Sequence, residues 1–551
     1  MMIRQLPLAA ALIALAALTF YFPGRTYLQS DTQIYIPMME RAASADPGVL
    51  AQDSMVTRPH TGLSLYDDIA VALRRRTGLS FEQILVAQQV VFRTLGVWGL
   101  WLIATALGLS RWKALFVAAL ASIGAAIAGP AVLTIEYEPV PRGFAMGATV
   151  LAIGLALHRR WAWAAAAAAV ATVIHAPTTW PIWPALFLAA FGRSWWPLPS
   201  TAPADSIREL ARASHRPLVP LARLAVGVMA AAVVLLIASR GDAAPQPIFQ
   251  TIPAWLEQIQ RLRASYNWIS EWKWQYIANY LILAGVVYAA ARRVRAPLWI
   301  LLPPAIGLAS MPLSWILLEK MKWALMPQFQ PARAVLWITL VAVVLSAAAA
   351  VVSDRWWQRA LWLVPVFWIP VKSIAIPETL KAQEALVILA LAAIFAVKSA
   401  QAPMLAPVIF FTIAEFSGVH NYRTDLHTPE LAQVSDWARS NTPADAVFLF
   451  ADAGHGLEAG IFRAHSLRAL YVDWKSGGQA NYFPDYAREW KKRWDEVGQG
   501  KGGVNASTLA ALGVHYAVFE HAATGGELVF RNQDYAVYRL SKIQPDAGRK
   551  R

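Results

Sequence analysis

The chain has 551 residues, 57% hydrophobic and only 15% charged, with a mean hydropathy of +0.41. Soluble domains carry roughly 25% charged residues, so this composition excludes a soluble globule and points to a polytopic membrane protein. The net charge of +15 would suggest nucleic acid as a partner for a soluble protein; in a membrane protein it belongs to cytoplasmic loops, and no nucleic-acid partner is expected. With no Cys in the chain, disulfides, thiolate catalysis and Cys-ligated metals are also excluded.

Arg4 and the apolar run from Leu6 to Phe22 resemble a signal peptide, but the run ends in TFYFPGR rather than a small-residue cleavage site. It reads as an uncleaved first span with Arg4 inside. Residues 23–83 form a long external segment, with helix-like apolar spacing in IYIPMMERA and LYDDIAVAL. Further apolar runs near 84–109, 114–134, 143–157, 161–175, 180–192, 223–239, 275–291, 296–318, 335–352, 360–376, 384–397 and 402–418 bring the expected total to about thirteen spans.

Alternating sides from an inside N-terminus places SRWK at 110, HRR at 158, residues 193–222, ARRVR at 291, SDRWWQR at 353 and KSAQ at 398 in the cytoplasm. Every one carries Lys or Arg, as the positive-inside rule requires. The region from about Asn421 is then external, and it changes character. TPELAQVSDWARSNTP reads as a helix with Thr428 as N-cap and Pro429 in its first turn. AVFLFAD, ALYVDW, YAVFEH, ELVFRN and YAVYRL read as strands, and FPDYAREWKKRWDEV and NASTLAALG as helices. The expected organisation is a helical membrane bundle over 1–420 and an α/β periplasmic domain over 421–551.

Several polar groups stand where membrane proteins place chemistry. Asp31 follows the first span closely, where burial at a bundle mouth can tune a carboxylate towards base chemistry. Arg58 and His60 lie in the same segment. Glu136, Glu138 and Arg142, in TIEYEPVPRGFAMG, are wedged between apolar runs, where charges are costly unless paired or used. Arg93 falls within the second span and calls for an anionic partner, either one of these glutamates or a phosphate. His175 sits at the external end of the fifth span. Lys320, Lys322 and Arg333 are external cations against the positive-inside trend, and a bound phosphate is a reason for them. For the groups at 93, 136–142 and 320–333, ordinary salt bridging is the competing explanation. There is no GxxxxGK[ST] and no strand-bound GxGxxG, so ATP is not the expected energy source.

This pattern resembles the GT-C superfamily of integral-membrane glycosyltransferases, which take sugars from polyprenyl-phosphate donors at an external site. The resemblance implies that Asp31 is the acidic residue of the first external loop that acts as base or positions the acceptor, and that Glu136 and Glu138 match the second acidic position. It also implies that Lys320, Lys322 and Arg333, which match by location, hold the donor phosphate, and Arg93 and Arg142 are expected to join them there on their charge. Asp31 is followed by Thr32 rather than by a second acid, and the WWDYG motif is absent. The tail stretches WARSNTPADAVFLF and FRAHSLRALYVDWK resemble an uncharacterised family of bacterial multi-span proteins with the same architecture.

The expected protein is thus a transferase of the bacterial inner membrane, moving a sugar from a polyprenyl-phosphate-linked donor to an extracytoplasmic lipid or glycan acceptor. No metal ligand set is assigned, although a divalent ion is compatible with the acids. A flippase for a lipid-linked saccharide and a non-catalytic envelope scaffold are the alternatives.

Overall fold

The computed structural model describes residues 6–20, 24–191, 218–240, 250–371, 426–520 and 525–540. The spans expected at 384–397 and 402–418, the KSAQ loop and most of the segment at 193–222 lie outside these residues. The chain is mostly helical and divides into two compact units. Met1–Arg25, Val86–Asp242 and Tyr266–Asn421 make up the first, and Thr26–Leu85, Ala243–Ser265 and Tyr422–Arg551 the second.

In the first unit, helices Leu6–Leu18, Phe81–Ala106, Pro141–Leu157, Trp161–Thr179, Ile182–Phe191, Leu218–Ser239, Trp274–Val294, Leu302–Ser314, Leu336–Val351 and Trp356–Val371 fall on expected apolar runs. Among the described residues, four helical stretches are long and apolar enough to cross a membrane: Phe81–Ala106, Trp274–Val294, Leu298–Lys320 and Met326–Val351. The run at 114–134 behaves differently. Its helix ends at Ala121, and a hairpin follows, pairing β1 (Ala126–Ile127) with β2 (Val132–Leu133) in antiparallel register. Gly129 at φ +94° and the Pro130 that follows cannot continue a helix, so the turn chemistry overrides the apolar composition.

Leu336–Val351 is apolar on all sides, and nearly every residue in it is buried, as expected of a helix that others surround. Trp274–Val294, Leu302–Ser314, Trp356–Val371 and Arg111–Ala121 pack around it. The Phe81–Ala106 and Pro141–Leu157 helices cross at backbone contact. A Cβ on Gly147 would fall on the Phe92 carbonyl, and one on Gly99 would lie 2.5 Å from the Leu151 nitrogen. Glycine here lets the two backbones touch.

The second unit contains a five-stranded mixed sheet, built from β3 (Val447–Phe450), β4 (Ala469–Leu470), β5 (Tyr516–Phe519), β6 (Glu527–Arg531) and β7 (Ala536–Arg539), in the order β4-β3-β5-β7-β6. β3 runs parallel to β4 and β5, with Phe448 opposite both Leu470 and Tyr516, while β7 is antiparallel to β5 and β6. The parallel β3–β4 pair needs a crossover, and helix Glu458–Ser466 supplies it. Helix Pro429–Asn441 begins as its sequence implies, the Thr428 hydroxyl accepting the Leu431 N–H at 3.1 Å.

Two further segments complete this unit. Helices Thr32–Ala43 and Tyr66–Thr77 come from the first external segment, and helix Ala254–Ala264 from the stretch after residue 250. The first segment is held by a buried charge network. The Arg463 guanidinium, 1% exposed, lies 3.5 Å from Asp53 and 3.4 Å from Asp473. Asp53 also accepts the backbone N–H groups of Met55, Val56 and Leu470. Burial alone would lower the Arg463 pKa, but Asp473 and Asp53 reverse that and hold it above its ordinary value. The later segment is held by Arg263, which stacks 3.7 Å above the Trp474 ring.

Candidate functional site

Within the first unit, one face of the Phe81–Ala106 helix carries Gln89 and Arg93, four residues apart and therefore stacked along the helix. Arg93 donates to the carbonyls of Thr19 (2.7 Å), Gly24 (2.7 Å) and Glu136 (2.8 Å), and its guanidinium lies over the Phe20 ring. Thr19 and Gly24 follow the end of helix Leu6–Leu18, where carbonyls lack helical partners, so Arg93 ties that end to the 134–140 loop. Gln89 donates to the Tyr137 carbonyl at 2.9 Å. The anion expected for Arg93 is therefore replaced in large part by backbone carbonyls.

Glu136 is 5% exposed and receives Arg142 on both oxygens, Nε at 2.6 Å and Nη2 at 3.1 Å, together with the Leu133 N–H at 3.1 Å. This is a bidentate pair, the competing explanation weighed for those two residues. Glu138, 2% exposed, belongs to the same loop.

Arg93, Gln89, Glu136 and Glu138 line one cavity of about 50 Å³, whose other walls are largely apolar: Phe92, Val97, Leu100, Met146, Val150 and Leu340 among them. Two buried polar atoms of this lining, Arg93 Nε and Gln89 Oε1, have no hydrogen-bond partner among the described residues. Such atoms are expensive to bury, and a ligand polar group would satisfy them. The structure thus brings together Arg93, Glu136 and Glu138, with Arg142 attached through Glu136.

The other expected cations of this unit do not line that cavity. Arg333 borders a separate small cleft with Asn267, Ser314 and Gln330, and Arg333 Nε, Ser314 Oγ and Gln330 Oε1 are buried without hydrogen-bond partners among the described residues. Lys320 lies 4.6 Å above the Trp315 ring, and Lys322 sits at φ +52° in the following turn. His175 interrupts helix Trp161–Thr179 at φ −157° two residues before Pro177, and its Nδ1 is 2.9 Å from the Thr178 hydroxyl.

The remaining expected residues lie in the second unit. Asp31 stands at the N-cap position of helix Thr32–Ala43 but makes no side-chain cap bond. Its Oδ1 instead accepts Lys475 Nζ at 2.7 Å, across 444 residues of sequence, and the same Nζ reaches Ser30 Oγ at 3.0 Å. His60 packs between the rings of Tyr482 (4.5 Å) and Tyr35 (5.5 Å). Burial lowers its pKa to about 4 against the pull of the nearby Asp31 charge, so the imidazole is neutral at pH 7. Arg58 pairs with Glu489 at 2.7 Å. Among the described residues, no three His, Asp or Glu side chains converge to hold a metal.

Sequence reasoning did not assign Gln89 to the site, although its spacing of four from Arg93 within a span is a legible signal. Nor did it join Lys475 to Asp31, for which no local signal exists.

Residues 429–497 match the model of a domain of unknown function, DUF6798. The matched stretch contains Arg463, Asp473, Lys475, Tyr482 and Glu489. No curated protein matches the chain.

Proposed function

We propose that the chain is a membrane glycosyltransferase of the GT-C kind, passing a sugar from a polyprenyl-phosphate donor to an acceptor outside the bacterial inner membrane. The proposal includes about thirteen spans, an inside N-terminus and a periplasmic C-terminal region, on the strength of the charged loops that alternate between apolar runs. The observation that carries it is the cavity among the helices of the first unit. At about 50 Å³ it takes only a small group, and the unsatisfied Arg93 Nε and Gln89 Oε1 among its largely apolar walls suit a polar head.

In this reading the acceptor oxygen attacks the anomeric carbon, a carboxylate removes its proton, and the lipid phosphate departs with the bonding electrons. Glu136 and Glu138 in the first unit and Asp31 in the second are the carboxylates proposed for that role; Arg142 holds Glu136 at 2.6 Å and Lys475 holds Asp31 at 2.7 Å. Arg93 is the cation of this cavity that favours the departing phosphate.

A photoreactive polyprenyl-phosphate, added to the full-length protein in nanodiscs, tests the donor assignment. Labelling should fall on peptides from 89–100 and 134–150, and Leu100→Trp, which fills the cavity, should suppress it. Equal labelling of wild type and Leu100→Trp would remove the cavity from the reading.

A further inference from the structure

We infer that Lys475, in the segment matched by the family model, is the positioning residue for Asp31 in the proposed transfer; the inference rests on that reading. Aspartate at an N-cap ordinarily turns its carboxylate onto the first free N–H groups of its helix. Asp31 occupies that position and makes no such bond. The Leu28 N–H, just upstream, is taken by the Thr32 hydroxyl at 2.8 Å. The Asp31 carboxylate instead accepts a charge-assisted bond from the Lys475 ammonium at 2.7 Å, and the same ammonium donates to Ser30 Oγ at 3.0 Å. Simple capping therefore does not account for Asp31.

Nor is the pair needed as a structural tie. It keeps 19% and 23% of its side-chain surfaces open, and a pair that meets water contributes little to folding. The Arg463 network, far more deeply buried, already joins the same two stretches of chain. What the ammonium does supply is a fixed orientation for one carboxylate oxygen. His60, neutral and within range of the Asp31 charge, adds no second cation that could take that place.

Lys475 approaches from the turn after Asp473, and that turn is itself fixed. The Asp473 carboxylate accepts the Ser476 N–H at 3.0 Å, and Gln479 donates to the carbonyls of Met55 (3.0 Å) and Arg58 (2.9 Å). The ammonium is thus delivered from a rigid support, as a positioning group requires.

The test uses full-length protein in nanodiscs with a polyprenyl-phosphate sugar and compares wild type, Lys475→Met, Lys475→Arg, Asp31→Asn and the Lys475→Met/Asp31→Asn double variant. A group acting only through Asp31 should lower kcat about 10- to 100-fold on removal and leave the donor KM within about twofold, since it touches no donor. Lys475→Arg should recover most of the loss, and the double variant should be no slower than Asp31→Asn alone. Should Lys475→Met fail to fold, Lys475→Gln, which keeps a donor there, carries the same comparison. Wild-type turnover by Lys475→Met, or a double variant slower by the product of the two single losses, overturns the inference with the transferase reading intact. A wild-type protein that transfers from no polyprenyl-phosphate sugar overturns that reading, and the inference falls with it.

Discussion

Replacing Arg463 by Leu tests the claim that a buried charge network joins the first external segment to the C-terminal sheet. Leu keeps much of the apolar packing and removes the guanidinium, leaving Asp53 (1% exposed) and Asp473 (5% exposed) buried without their cation. Breaking one side of a buried pair costs roughly 3–5 kcal/mol. Three backbone N–H groups still solvate Asp53, and one solvates Asp473, which places the expected loss near the lower end, about 3 kcal/mol. Hydrogen exchange of the β3 and β5 amides reads this directly: about 3 kcal/mol corresponds to exchange ~10²-fold faster through the opening that separates the segments. The Lys491–Asp495 pair, at 36% and 46% exposure, is the internal control, and its removal should cost no more than about 0.5 kcal/mol. Exchange in Arg463→Leu within about threefold of wild type would refute the network's role.

Three further outcomes are expected. Gly147→Ala places a Cβ on the Phe92 carbonyl, so the Phe81–Ala106 and Pro141–Leu157 helices must separate, at about 1–3 kcal/mol, read as a lower thermal midpoint in detergent. His60, with its pKa lowered from 6.5 to about 4, contributes stability that is present above pH 6.5 and lost as pH falls towards 4. Asp67, raised by burial from 3.8 to about 7, has the opposite sign, its contribution being present below pH 3.8 and lost as pH rises through 7. The two cancel between about pH 4 and 6.5, so His60→Asn should expose a fall in stability of about 3 kcal/mol over that interval and Asp67→Asn a rise of similar size. A denaturation series from pH 4 to 8 checks both, and parallel profiles for the two variants would contradict the assignment.

Much of the secondary structure was legible because it depends on neighbours in sequence. Thr428 and Pro429 announce the start of their helix, and short runs rich in Val, Phe and Tyr mark β3, β5 and β7. Apolar runs locate the helices of the first unit, except where Gly129 and Pro130 turn the chain inside a run whose composition alone reads as a span. What was not legible depends on partners far apart. Asp31 announces a candidate carboxylate, but nothing local points to Lys475, 444 residues on. Likewise, helix Ala254–Ala264 has no feature that assigns it to the second unit. Its place follows from Arg263 lying on Trp474 and from Gly477, where a Cβ would collide with Arg263 and Trp490. Arg93 was legible as a residue needing partners, yet the partners are carbonyls, which no side-chain pattern reveals.

The central claim is sugar transfer from a lipid phosphate, and the direct measurement is turnover by the purified full-length protein in nanodiscs, offered a panel of radiolabelled polyprenyl-phosphate sugars with an envelope-lipid and glycan extract as acceptor. The account predicts label moving to acceptor with at least one donor, and a loss of ~10²- to 10⁴-fold in Asp31→Asn or Glu138→Gln with donor photolabelling retained. Label that remains on the lipid with every donor, or transfer that proceeds equally in both carboxamide variants, would contradict it.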